Sequence, residues 1–217
     1  MTPPAACLFD LDGLLLDTEP LHARAWQEAA TRFGRPLTPG ELLQLRGRRR
    51  LDCARQVLRW IGEGPTIEEL LAVRQPIAEA LLVQAPPMPG AVELVNRCLA
   101  HGIPMALATS SSREAVAHKA APHPWLGVIA TRVHGDDPEL GEGKPAPDVF
   151  LLAARRLGMP PTDCWAFEDS PAGAQAALAA GCQVHVVHAD SLSPDERARL
   201  YPGIERFLRS LAEVRLS

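Results

Sequence analysis

Three apolar runs in this 217-residue chain end on groups able to handle phosphate or a metal ion. Ala6-Cys7-Leu8-Phe9 runs into Asp10-Leu11-Asp12-Gly13. Ile103 to Ala108 runs into Thr109-Ser110-Ser111-Ser112, and Cys164-Trp165-Ala166-Phe167 runs into Glu168-Asp169-Ser170. If these runs are neighbouring strands, Asp10, Asp12, Glu168 and Asp169 crowd four carboxyl groups into one crevice. At an effective dielectric of about 20 such charges repel by several kcal/mol, and without a cation some would stay protonated. A hard divalent ion relieves this, and carboxylate oxygens with waters suit Mg²⁺ better than Zn²⁺. The seven histidines show no ligand spacing on a common helix face.

Each piece also has a plainer use. Asp-x-Asp is common where Asp caps a helix or forms a turn, Glu-Asp-Ser can be an N-cap box, and a run of serines can fill a loop. Their shared placement at strand ends favours a site, because open α/β sheets bind ligands at the carboxyl ends of their strands.

Around these residues the chain changes texture. Ala6 to Asp10 reads as a buried strand, and Thr18 to Phe33 as a helix ended by Gly34 and Pro36. Leu-rich helical segments continue to about Gln84, with no strand between Leu21 and Gln84. After Gly90 strands and helices alternate. Helices are expected at Ala91 to Ala100, Arg113 to Ala120, Asp148 to Leu157 and Ala172 to Ala180. Strands are expected at Ile103 to Thr109, Val128 to Val133, Cys164 to Phe167 and Gln183 to Val187, with a closing helix at Ile204 to Leu211. That order implies a doubly wound parallel sheet, an α/β Rossmann-like core, covered on both faces. The core takes residues 1–16 and 88–217, and residues 17–87 form an inserted α-helical cap domain.

Composition agrees with a soluble globular protein. Hydrophobic residues at 47% and charged ones at 22% leave enough apolar material for a core. No apolar stretch approaches the ~20 residues of a spanning helix, so no membrane partner is expected. The net charge of −4 argues against a nucleic-acid partner. The first residues lack the basic and apolar regions of a signal peptide. The scattered cysteines (Cys7, Cys53, Cys98, Cys164, Cys182) read as reduced, buried thiols, and a cytoplasmic location is expected. Of 22 Lys and Arg residues only Lys119 and Lys144 are lysine, so a lysine that persists here can be serving where Arg cannot.

Together the motifs resemble the haloacid dehalogenase superfamily of phosphotransferases. Phe9-Asp10-Leu11-Asp12-Gly13 through Glu19 is similar to its first motif and Thr109-Ser110 to its second. Lys144 in Gly143-Lys144-Pro145 is similar to the third, and Glu168-Asp169-Ser170 with Gly173 behind it to the fourth. The four stand in the family's order around a helical insert of the right size. The insert makes the chain similar to the group with a small helical cap, which includes β-phosphoglucomutase, phosphoglycolate phosphatase and sugar-phosphate phosphatases. The loops Gly135-Asp136-Asp137-Pro138-Glu139 and Gly102 to Ser111 look most like those of pseudouridine-5′-phosphatase relatives.

The resemblance implies a Mg²⁺-dependent phosphatase acting on a small phosphorylated substrate, a sugar phosphate or nucleotide-like phosphomonoester, through an aspartyl-phosphate. Asp10 would be the nucleophile and Asp12 the acid and base, with Thr109 and Lys144 completing the catalytic set. Asp10, Asp12 through its backbone carbonyl, Glu168 and Asp169 would hold the metal. Gly13, Glu19, His22, Arg50, Thr109, Ser110 and Lys144 would contact substrate. Arg46 to Arg50 reads as a partly solvated face with one Arg turned to substrate, and Lys119 as solvated surface. A phosphomutase of the β-phosphoglucomutase type is the alternative. It would need a second phosphate site, which Arg50 could supply. The loop after Thr109 lacks the lysine such mutases tend to carry, though Arg113 could substitute. A hydrolytic dehalogenase would have no use for Asp12 and the Glu168-Asp169 pair, and an inert interaction module would not need all these acids. A monomer is expected, as is common in this group.

Overall fold

The computed structural model describes residues 3–45, 50–187 and 192–216. By compactness the chain divides into two units, Met1–Leu16 with Pro86–Ser217, and Asp17–Ala85.

The first unit is built on a six-stranded parallel sheet. Its strands are β1 (Ala6–Phe9), β2 (Met105–Ala108), β3 (Thr131–Val133), β4 (Cys164–Glu168), β5 (Gln183–Val187) and β6 (Arg206–Leu208). Their order is β3-β2-β1-β4-β5-β6, and every pairing is parallel. The winding reverses between β1 and β4, which is where a doubly wound sheet opens its ligand crevice. Apolar Ala-Cys-Leu-Phe suits β1, because a central strand of a parallel sheet is covered on both faces; all four residues are fully buried. Register sets Phe9 opposite Phe167, with their rings stacked at 5.1 Å. The chain therefore leaves β1 and β4 at the same level, and Asp10 N–H donates to Phe167 O at 3.1 Å.

The helices of this unit are α5 (Ala91–Ala100), α6 (Arg113–Ala120), α7 (Asp148–Leu157), α8 (Pro171–Ala179) and α9 (Pro194–Leu200), numbered after the four of the second unit. Val149, Phe150, Ala153 and Ala154 of α7 and Ala174, Ala176 and Ala177 of α8 pack into one core with Leu8, Ala106 and Ala166. The second unit holds α1 (Glu19–Arg32), α2 (Pro39–Leu45), α3 (Arg50–Ile61) and α4 (Ile67–Leu82). Trp26, Ala29, Cys53, Val57 and Leu70 fill its own core. Thr66 and Glu69 close a reciprocal capping box that starts α4.

Two expectations are corrected. Ile204 to Leu211 is no helix: it contains β6, which pairs with β5, followed by a short 3-10 turn at Leu211–Glu213. Ile204, Phe207, Leu208 and Leu211 recur at helical spacing, but pairing with β5 satisfies the backbone first and overrides that pattern. The strand expected over Val128 to Val133 begins only at Thr131, because Pro124–Val128 forms a 3-10 turn. All five cysteines are buried thiols, none of them in a disulfide. Among the described residues no helix is long and apolar enough to cross a membrane.

His185 on β5 illustrates what burial in this sheet does. Its ring lies between Phe167 at 5.0 Å and Trp165 at 4.8 Å, beside Arg206, whose Nη1 is 3.3 Å from Nε2. Burial first, and the Arg206 charge second, lower its pKa from the ordinary 6.5 to about 4. The unfolded chain thus binds this proton before the folded one. The stabilisation is complete above about pH 6.5 and is lost as pH falls toward 4, by roughly 3 kcal/mol. His185→Phe should flatten that part of the stability curve relative to the parent in urea melts at pH 7 and 4.5. Equal pH slopes in the two proteins would contradict the assignment.

Candidate active site

Four loops at the carboxyl ends of β1, β2 and β4 and before α7 carry the acids, hydroxyls and lysines. Asp10 follows β1 directly and is buried, with 6% of its surface exposed. Glu168 ends β4 and has none exposed. Between them stands Lys144, whose Nζ donates to Asp10 Oδ1 at 2.6 Å and Glu168 Oε1 at 2.5 Å. The other Glu168 oxygen accepts from the Asp169 and Ser170 backbone N–H groups and the Ser170 hydroxyl. Burial pushes the Asp10 carboxyl up to about 7; the Lys144 charge opposes this, while Glu168 and Asp12 add to it. Burial alone would lower the Lys144 ammonium, but the two carboxylates outweigh it and hold it above its ordinary range.

Asp10, Glu168 and Asp169 each place a carboxylate oxygen within 4.8 Å of the others. With all three acids ionised, one ammonium leaves the cluster two negative charges in excess, which the raised Asp10 carboxyl reflects. The ligand atoms are hard oxygens from carboxylates. That charge and that donor set fit a divalent cation of the Mg²⁺ or Ca²⁺ type. Asp12 stands apart from this group. Its carboxylate accepts from Lys119 Nζ at 2.6 and 2.5 Å and from the Ser111 hydroxyl at 2.7 Å. Lys119, expected on the solvated surface, is buried with 2% exposed. It shares the inner face of α6 with Val116, the other buried residue of that helix. Lysine side chains on helices lean back over the preceding turn, and this brings Nζ to Asp12.

Thr109 is buried behind β2, and its hydroxyl accepts from the Ser111 N–H at 3.1 Å. Ser110 is exposed. The loop is held from the other side by Gly135, whose N–H donates to Ser111 O. A Cβ on Gly135 would overlap the Ser110 carbonyl. Between β3 and Lys144, Arg156 of α7 forks onto Asp137 at 2.7 and 2.9 Å and reaches Glu139 at 2.6 Å. The Arg156 contact lowers the Asp137 carboxyl. Gly13 has φ +81° and donates its N–H to Leu16 O at 2.8 Å, closing the turn after Asp12.

Glu19, His22 and Arg50 belong to the helical unit. Glu19 opens α1 and is half-buried. His22 Nδ1 accepts from Arg74 Nη2 at 2.8 Å, which puts the proton of a neutral ring on Nε2. Arg74 had no sequence signal. It is buried on α4 with its guanidinium 4.5 Å over the Trp26 ring, and burial lowers its pKa to about 10. Arg50 is exposed and donates to Gln75 Oε1 at 3.3 Å. Arg46 to Arg49, read as part of a basic face, lie outside the described residues. Tyr201 also escaped the sequence reading: its hydroxyl donates to the Asp169 carbonyl at 2.6 Å and so anchors the loop after β4.

A parallel sheet with acids and lysines at its winding reversal defines an α/β enzyme built to handle an anionic group. The haloacid dehalogenase-like hydrolase family model matches residues 4–181, and the chain belongs to that family. It is 38% identical over 214 residues to a probable pseudouridine-5′-phosphatase of Drosophila melanogaster, spanning 96% of this chain and 90% of that one. It is 37% identical over 193 residues to hexitol phosphatase A of Escherichia coli strain K12, spanning 86% and 84%. Its fold matches that of a family hydrolase from Entamoeba histolytica with a TM-score of 0.83 and 27% identity, over 99% of this chain and 96% of the other. The family resemblance and the fold expected from the sequence are thereby borne out.

Gly173 in α8 lies directly against the Glu168 carboxylate, so a Cβ there would overlap it. Gly173→Ala should displace Glu168 from Lys144 and cost roughly 1–3 kcal/mol, as overpacking does. Thermal melts should show the loss, with phosphatase activity falling at least tenfold. Unchanged stability and rate would show that Glu168 needs no such room.

Proposed function

We propose that this hydrolase releases phosphate from a small phosphomonoester, a sugar phosphate or nucleotide-like, through an aspartyl-phosphate on Asp10. The observation that carries the reading is Lys144 bridging Asp10 and Glu168, with Asp169 within reach, at the ends of adjacent strands. Family membership and the phosphatase names of the similar proteins support it.

An Asp10 oxygen attacks phosphorus in line, and the bond from phosphorus to the substrate oxygen breaks as Asp12 gives that oxygen a proton. Asp12 then takes a proton from water, which attacks the same phosphorus and frees Asp10 and phosphate. The Thr109 hydroxyl and the Ser110 N–H hold phosphoryl oxygens, and Lys144 supplies compact positive charge to Asp10 and the phosphate. Asp10, Glu168, Asp169 and the Asp12 carbonyl would hold Mg²⁺. The ion would screen nucleophile from phosphate and steady the charge that develops. Gly13 shapes the turn beside the phosphate, and Glu19, His22 and Arg50 are assigned to the substrate's remaining groups. We assign the protein to the cytoplasm as a monomer, without a nucleic-acid or membrane partner.

Asp10→Asn should lower phosphate release at least ~10³-fold, the scale of losing a nucleophile. EDTA should silence the parent enzyme and Mg²⁺ restore it. Activity that survived both treatments would contradict the mechanism. A panel of pseudouridine 5′-phosphate, hexitol phosphates, phosphoglycolate, nucleotides and β-glucose 1-phosphate should identify the substrate. Glucose 6-phosphate formed from the last, without free phosphate, would instead establish a mutase.

A further inference from the structure

Lys119 carries a charge into the protein where the fold has no need of one. Beside Val116 on the inner face of α6, an apolar residue would serve packing as well. Burying an ammonium costs several kcal/mol unless it is fully paired. Here the pairing is complete. An ammonium has three hydrogens to donate, and Asp12 Oδ1, Asp12 Oδ2 and Ser111 Oγ take them at 2.6, 2.5 and 2.8 Å. The Ser111 hydroxyl passes its own hydrogen to Asp12 Oδ2 at 2.7 Å. Ser112 caps α6 through the Ala115 N–H and so fixes that helix against the same loop.

We propose that Lys119 is a positioning residue for the reaction: with Ser111 it fixes the orientation of the Asp12 carboxyl group. This rests on the reading of Asp12 as acid and base. The Asp12 side chain is 20% exposed and stands just before the turn that Gly13 opens. The Lys119 and Ser111 contacts engage both carboxylate oxygens and so select one rotation of the group, and a displacement of about 1 Å of a reacting group can cost 10²-fold. The chain otherwise uses arginine almost throughout. At this position three acceptors converge on one nitrogen, a geometry that suits a point charge rather than a flat guanidinium.

The test is a double-mutant cycle with p-nitrophenyl phosphate and Mg²⁺, each variant checked by thermal melting. Lys119→Met should lower kcat about 10- to 100-fold with KM changed less than about threefold. Lys119→Arg should recover only part of the loss. In the Asp12→Asn background Lys119→Met should add little, because residues that act as a unit are not additive. Should Lys119→Met fail to fold, Ser111→Ala carries the test. It removes one contact to Asp12 and should lower kcat about three- to tenfold at constant KM. A parental kcat in Lys119→Met, or in Ser111→Ala, with Asp12→Asn strongly slowed but still measurable would overturn the proposal alone. Full multiplication of the two losses in the double variant would also overturn it. A parental kcat in Asp12→Asn would remove the acid and base reading and this proposal together.

Discussion

Placing carboxylates side by side out of water is the constraint around which this fold is organised. Asp10 and Glu168 must sit next to each other because β1 and β4 are paired in register, and the residues after Phe9 and at the end of β4 therefore emerge together. Their repulsion is met by Lys144 on one side, and Asp10 still keeps a raised affinity for its proton. The second acid of the first loop is met by a different lysine, which comes from α6. Each cation is nearly inaccessible to water, so neither pairing is weakened by solvent as a surface ion pair would be. The arrangement divides the acids into a group short of positive charge and one that is balanced.

Rigid surroundings make that division possible. Gly173 and Gly135 leave out the one carbon that would collide with Glu168 and with the Ser110 carbonyl. Tyr201 and Arg156 reach in from outside the motif loops to tie down Asp169 and the segment before Lys144. None of these four touches phosphate in the proposed reaction, yet each limits how far a reacting group can drift.

Much of this was legible from residue order. Apolar runs that empty onto acids gave the central strands, and their alternation with helices after Gly90 gave the doubly wound sheet, while the strand-free Leu-rich stretch before it gave the insert. Lys144 stood out because lysine is rare in this chain. Lys119 did not, since a lone lysine on a short helix usually points to water. Its place three residues after Val116 gained meaning only when α6 was seen against the Asp12 loop. Ile204 to Leu211 misled for a related reason. Its apolar spacing is helical, and the partner strand that decides its conformation is remote in what a local pattern can register. Arg74 and Tyr201 depend on contacts 52 and 32 residues away in the chain, which no short window reveals.

The two crossings into and out of the helical insert are joined before the insert begins. Leu16 bridges to Pro87, and the Met88 N–H donates to the Leu15 carbonyl at 3.0 Å. An interruption of the sheet domain is thereby reduced to a sealed loop whose closure entropy rises only slowly with its length. Evolution can thus lengthen, shorten or rewrite residues 17–85 while the parent domain folds around an unchanged seam.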